Sequence, residues 1–112
     1  MRLSSEFWIS AFIRQAEHDG DFCGLVCRGA SHGGSVLVVV NRLNGIFDVY
    51  AAAPQAFVAD DRDDRVFHLL LAGVDQETVN LQIEKERRFD SDLWIVERES
   101  RDGRHGLSVI EI

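Results

Sequence analysis

Val36-Leu37-Val38-Val39-Val40 is an unbroken apolar run of strand length, flanked by Ser35 and Asn41. Successive residues of a strand point to opposite sides of a sheet, so a run that is apolar at every position needs cover on both faces. The run therefore predicts a central strand. Asn44-Gly45 follows it, the pair that best fits a two-residue hairpin turn, and residues 46–51 read as the returning strand. Ahead of it, the Gly-rich residues 28–34 form a turn leading from an earlier strand over 22–27.

Outside this centre two helical stretches stand out. The first runs from Ser4 to His18, with Ser4 as cap and Glu6 in the first turn, where a carboxylate suits the helix dipole. Leu3 and Trp8 occupy the two positions of a hydrophobic staple, and Trp8, Ile9, Phe12, Ile13 and Ala16 recur at helical period. The second helix starts at Asp75, with Val74 and Val79 as a staple pair, Val79 and Ile83 as its buried pair, and Arg87 and Arg88 in its last turn. Between them lie an acidic loop over 54–64 and a fourth strand over 66–71.

After the second helix, Asp90-Ser91-Asp92 turns the chain. Residues 93–99 and 107–112 then read as a hairpin about Asp102-Gly103. That register sets Val96 against Val109, Ile95 against Ile110 and Leu93 against Ile112, apolar against apolar. The expected fold is α+β: helix, four strands, helix and a two-strand hairpin, mainly antiparallel, with both helices packed on one face. At 112 residues the chain is expected to be a single domain over 1–112. In this arrangement both faces of residues 93–96 are apolar, and two helices on one face would leave the other bare. That motivates a homodimer contact or a protein-partner groove on the hairpin.

Composition narrows the function classes. Nineteen acidic residues against twelve basic ones give a formal charge of −7, an average field that repels nucleic acid. Eleven of the twelve basic residues are Arg, which favours formed bidentate pairs over a loose basic carpet. No stretch approaches the ~20 apolar residues that span a bilayer, and the first residues do not make a signal peptide, so a cytoplasmic protein without membrane attachment is expected. Cys23 and Cys27 lie four apart on a predicted strand. Their Cα atoms would be ~13 Å apart at ~3.3 Å per residue, beyond the ~7 Å reach of a disulfide. Both are expected to be free thiols.

Several groups could carry chemistry, and each has a plainer structural reading. Asp90, Asp92 and Glu97 are carboxylates suited to acid–base or metal work, but aspartates in a helix-to-strand turn ordinarily accept backbone N–H bonds. Cys23, Cys27 and His32 suggest zinc, yet an extended strand holds the cysteines too far apart to chelate one ion. Gly29 to Gly34 lacks the Gly-Lys-Ser/Thr ending of a phosphate loop and precedes a strand. Asp60, Asp61, Asp63 and Asp64 lack the glycine and terminal glutamate of a calcium loop. His18, His32, His68 and His105 show no chelating spacing. No cofactor and no metal are expected.

Three elements of the sequence belong together: Met1-Arg2-Leu3 to Trp8-Ile9-Ser10-Ala11; the central strand with Asn41-Arg42-Leu43-Asn44-Gly45 and Tyr50; and Arg88-Phe89-Asp90-Ser91-Asp92-Leu93-Trp94-Ile95-Val96-Glu97 with Arg101-Asp102-Gly103-Arg104-His105. Together they resemble a small bacterial family of uncharacterised proteins, domain of unknown function 1491, over nearly the whole chain. The third element is the most specific. Ser91 stands where that family typically has Pro between the two aspartates, and His68 where it often has Trp. The resemblance implies an organisation and no chemistry. The functional expectation is a non-catalytic accessory or protein-interaction domain. The alternative is a small enzyme built around Asp92, Trp94, Glu97 and His105, and Asp90, Asp92, Trp94, Glu97 and His105 are the candidate surface.

Overall fold

The computed structural model describes residues 4–58 and 64–112. Helix α1 (Ser5–His18) starts where expected: the Ser4 hydroxyl accepts the Phe7 N–H at 3.2 Å. Leu3 lies outside the described residues, so the staple it would form with Trp8 does too. Trp8 stacks on Phe12 with ring centroids 5.0 Å apart and leans on Phe67 at 5.3 Å. The strands that follow are β1 (Cys23–Cys27), β2 (Val36–Asn41), β3 (Phe47–Ala52) and β4 (Val66–Val74). Helix α2 (Gln76–Phe89) is capped by Asp75, whose carboxylate accepts the Thr78 N–H at 2.8 Å. Strands β5 (Trp94–Glu99) and β6 (Ser108–Val109) close the chain.

All six strands form one sheet in the order β1-β5-β2-β3-β4-β6. The apolar run forms its middle: residues 36–40 are each 1% exposed or less. β2 pairs antiparallel with β3, as the Asn44-Gly45 turn predicted, and parallel with β5. β1–β5 and β3–β4 are antiparallel, while β4–β6 is parallel. The sheet is therefore mixed rather than mainly antiparallel.

Two further expectations need correction. β5 and β6 do not form a hairpin; β2, β3 and β4 lie between them. Val96 neighbours Leu25 and Val38, and Val109 neighbours Phe67. The parallel register with β2 sets Trp94 beside Val36, Ile95 beside Leu37 and Val96 beside Val38, so it matches apolar residues on both faces. Asp102-Gly103 does turn the chain, with Gly103 N–H donating to Ser100 O at 3.1 Å and φ +75° at Gly103. The turn launches residues 104–107 across the sheet face instead of back along β5.

The helices do not share a face either. α1 covers Val36, Val38, Val40, Tyr50, Phe67, Trp94 and Val96 through Ile9, Phe12 and Ala16. α2 covers Leu37, Val39, Phe47, Val49 and Ile95 through Val79 and Ile83. The physical reason lies in the topology. β4 and β5 both run parallel to β2, so α2 is the crossover joining two parallel strands and must lie over the sheet. The two-sided apolar pattern of residues 93–96 is thus satisfied within the chain, and it no longer argues for a second copy. Among the described residues no helix is long and apolar enough to cross a membrane.

Candidate functional site

The five candidate residues divide between two faces and two ends of the sheet. Asp90 ends α2 and organises the turn after it: one carboxylate oxygen accepts Ser35 N–H at 2.8 Å and the other accepts Asp92 N–H at 2.9 Å. Asp92 contributes its backbone, where its carbonyl accepts Ala30 N–H at 3.2 Å. Trp94 is 1% exposed, and its indole N–H is shared by the carbonyls of Ala30 at 2.9 Å and Gly33 at 3.1 Å. The Gly-rich loop is therefore moulded onto Asp92 and Trp94. A Cβ at Gly29 would collide with the Asp92 carbonyl and the Trp94 ring. These contacts account for Asp90, Asp92 and Trp94 as the fasteners of one loop.

Glu97 lies three residues beyond Trp94 and so points to the opposite face; Asn41 Nδ2 donates to it at 3.3 Å. His105 lies back on the α1 face, its ring 4.8 Å from Tyr50 and its Nδ1 accepting Leu107 N–H at 2.9 Å. Burial, then the nearby Arg98 charge, push its pKa below the ordinary histidine value. The structure thus brings Asp90, Asp92 and Trp94 together and keeps Glu97 and His105 apart from them and from each other. Among the described residues no group of three or more His, Cys, Asp or Glu could hold a metal ion.

Sequence reasoning missed the strongest polar cluster. Arg98 is wholly buried, yet each of its nitrogens has a partner. Nε donates to Asp21 at 2.8 Å, Nη2 to Asp19 at 3.0 Å and Nη1 to the His105 carbonyl at 3.2 Å. Arg104 grips the same Asp21 at 2.8 Å. Its hydrogen bond, ahead of that from Arg98, holds the Asp21 carboxyl below the usual range. Each guanidinium nitrogen of Arg98 is bonded within the protein, so this cluster ties the end of α1 to β5 and the crossing segment. The alternation Trp94, Val96, Arg98 was the available signal, since it puts Arg98 on the inward face.

The other feature that escaped is the rim at β1. Among the described residues β1 ends the sheet and pairs only with β5. Phe22, Leu25 and Val26 are 71%, 40% and 54% exposed there. Glu99 N–H donates to Phe22 O at 2.8 Å, which marks Phe22 as bonded to β5. By antiparallel alternation Gly24 is bonded too, and Leu25 turns its N–H and carbonyl away from the sheet. Phe22, Gly24, Leu25 and Val26, with Glu97 and Glu99, line a shallow cleft of about 210 Å³. Among the described residues neither glutamate has a basic side chain within 4.0 Å.

Comparison with known proteins places this architecture. A search of curated proteins found no match. A protein from A. tumefaciens solved in solution is 38% identical, with a TM-score of 0.85, covering 100% of this chain and 98% of that one. A DUF1491 family protein from Caulobacter crescentus CB15, solved by crystallography, is 31% identical with a TM-score of 0.78 over 98% of this chain and 99% of that one. An NMR structure of a DUF1491 family protein from the same organism gives 32% and 0.77, over 98% of each chain. The family model described as protein of unknown function (DUF1491) matches residues 3–108, and the chain belongs to that family.

Proposed function

We propose that this protein is a non-catalytic interaction domain that docks a protein partner along β1. One observation carries the reading: β1 is a terminal strand of an open sheet, and it exposes Phe22, Leu25 and Val26 beside an outward-facing backbone at Leu25. Natural edge strands are often blunted with charge, proline or a bulge; β1 contains neither charge nor proline, and its one irregularity falls after Leu25, beyond the exposed Phe22 and Leu25. Strand addition to such an edge is a common mode of peptide recognition. The scatter of Asp92, Trp94, Glu97 and His105 gives the enzyme alternative no shared reaction centre. The net charge of −7 argues against a nucleic-acid partner. A reducing, cytoplasmic setting suits the two free cysteines.

The test is site-specific photo-crosslinking in cells. A photoreactive residue at Val26 should give discrete adducts, and one at Leu81, which is 61% exposed on α2, should not. An adduct at twice the chain's mass would identify a second copy as the partner. Adducts equal at the two positions, or none at Val26, would refute docking along β1.

A further inference from the structure

We infer that the segment received by β1 is an extended, basic one, alternating apolar residues with Arg or Lys, and that Glu97 is read across Gly24. The inference rests on the interaction reading above and adds the chemistry of the partner. Gly24 lies directly opposite Glu97 in the β1–β5 register. Lacking a side chain, it leaves the path from the sheet edge to the Glu97 carboxylate open. A Cβ built at Gly24 meets only the Phe22 ring, at 3.9 Å.

Adjacent strands lie ~4.8 Å apart, so a residue of a docked strand opposite Gly24 sits ~10 Å from Glu97. A glutamate and an arginine side chain together span that gap. The long cation would lay its methylene stem over Phe22 and Val26 and carry its charge to Glu97 and Glu99, as amphipathic side chains do at apolar rims. Its neighbours in the segment would point to the other face, where Leu25 is exposed, and there apolar residues fit. Charge thus selects on one face and burial on the other.

The experiment uses three labelled, end-blocked heptapeptides in fluorescence anisotropy with the whole chain: Val alternating with Arg, with Ser, and with Glu. The Arg peptide should bind about ten-fold more tightly than the Ser peptide, a step of about 1.4 kcal/mol, and the Glu peptide more weakly still. Glu97→Gln with Glu99→Gln should erase the Arg preference, and so should Gly24→Val, which closes the path without touching a carboxylate. Glu77→Gln with Glu111→Gln, an equal change of net charge on exposed residues away from β1, should leave it intact. Leu25→Pro removes the outward N–H together with the leucine side chain and should weaken every peptide, and Val26→Lys should do the same without removing a backbone donor.

Equal binding of all three peptides, still weakened by Leu25→Pro and Val26→Lys, would overturn the basic-segment inference and leave docking on β1 standing. Binding unaffected by both rim variants would overturn both. An Arg preference lowered equally by the remote charge changes would reduce the effect to bulk charge and overturn the inference. No binding of any peptide would overturn it as well.

Discussion

Arg98 Nε meets Asp21 Oδ2 at 2.8 Å, and through that bond the only fully buried guanidinium among the described residues holds the segment that follows α1. Burying a charge is tolerated when it is paired and hydrogen-bonded at each polar atom. Arg98 satisfies both conditions with Asp19, Asp21 and the His105 carbonyl, and its guanidinium also lies 5.8 Å from the Phe12 ring centroid. Asp21→Ala would leave that charge with half its carboxylate support. Arg98→Ala would remove both the charge and the packing under α1. Arg98→Ala is expected to lower unfolding stability by about 3–5 kcal/mol, measured by urea denaturation. A loss below about 1 kcal/mol would mean that the cluster is not what joins these three elements.

The sequence displayed the strands and helices well because their signals are local. The Val36–Val40 run, the Asn44-Gly45 turn and the Ser4 and Asp75 caps each needed only a few neighbouring residues to be read. Pairing partners were not legible in the same way. Residues 93–96 are apolar on both faces, which is a demand for cover, and it is met by β1 and β2 at the sides and by a helix on each face. Nothing local distinguishes that from a hairpin with an unmet face, because Asp102-Gly103 turns the chain in either case. Of the candidate surface, Asp90 was readable as a turn residue. That Glu97 faces away from Trp94 was readable from strand alternation, whereas the seat of His105 against Tyr50 was not, since it depends on the path of residues 104–107 over the sheet.

His105 supplies a pH dependence with a definite sign. Its folded pKa is lowered, first by burial and then by Arg98, with Asp48 opposing. Tyr50 packs against its ring at a tilt, with centroids 4.8 Å apart. In the unfolded chain it titrates near ~6.5. Between the two values the unfolded state binds more protons, so this group's stabilising contribution is full above ~6.5 and is lost as pH falls towards the folded pKa. Stability measured at pH 7.5 should therefore exceed that at pH 5.5, and His105→Gln should flatten part of the difference. An unchanged slope in the variant would assign the dependence to other groups.

Gly29 and Gly34 are where the loop over 28–35 is least replaceable. A Cβ at either would run into the Asp92 carbonyl, and Gly34 also has φ +86°. Gly29→Ala should displace the loop from the Trp94 indole and cost about 1–3 kcal/mol by overpacking. The indole N–H resonance of Trp94, bonded to Ala30 and Gly33, should shift towards its solvent-exposed position. A native-like resonance with unchanged stability would show that the loop has room to spare.

Cys23 and Cys27 test the irregularity in β1. A regular strand would turn both thiols to one face, four residues apart. The register shifts between Leu25 and Cys27, however, setting Cys23 beside Arg98 and Cys27 beside Ile95. Cys23 consequently packs in the core under α1, and Cys27 against the opposite cluster. Both are free, and they face away from each other across the sheet. Burial pushes the Cys23 thiol up to about 11, which leaves it protonated and shielded, whereas Cys27 is partly exposed. Iodoacetamide at pH 8, without reductant, should label Cys27 in the native protein and leave Cys23 untouched. Denaturation should then release a second label, read as a second mass increment on the intact chain. Equal labelling rates in the native state would place both thiols on one accessible face and refute the register shift. A denatured chain that accepts no label would mean that the two sulfurs are bonded.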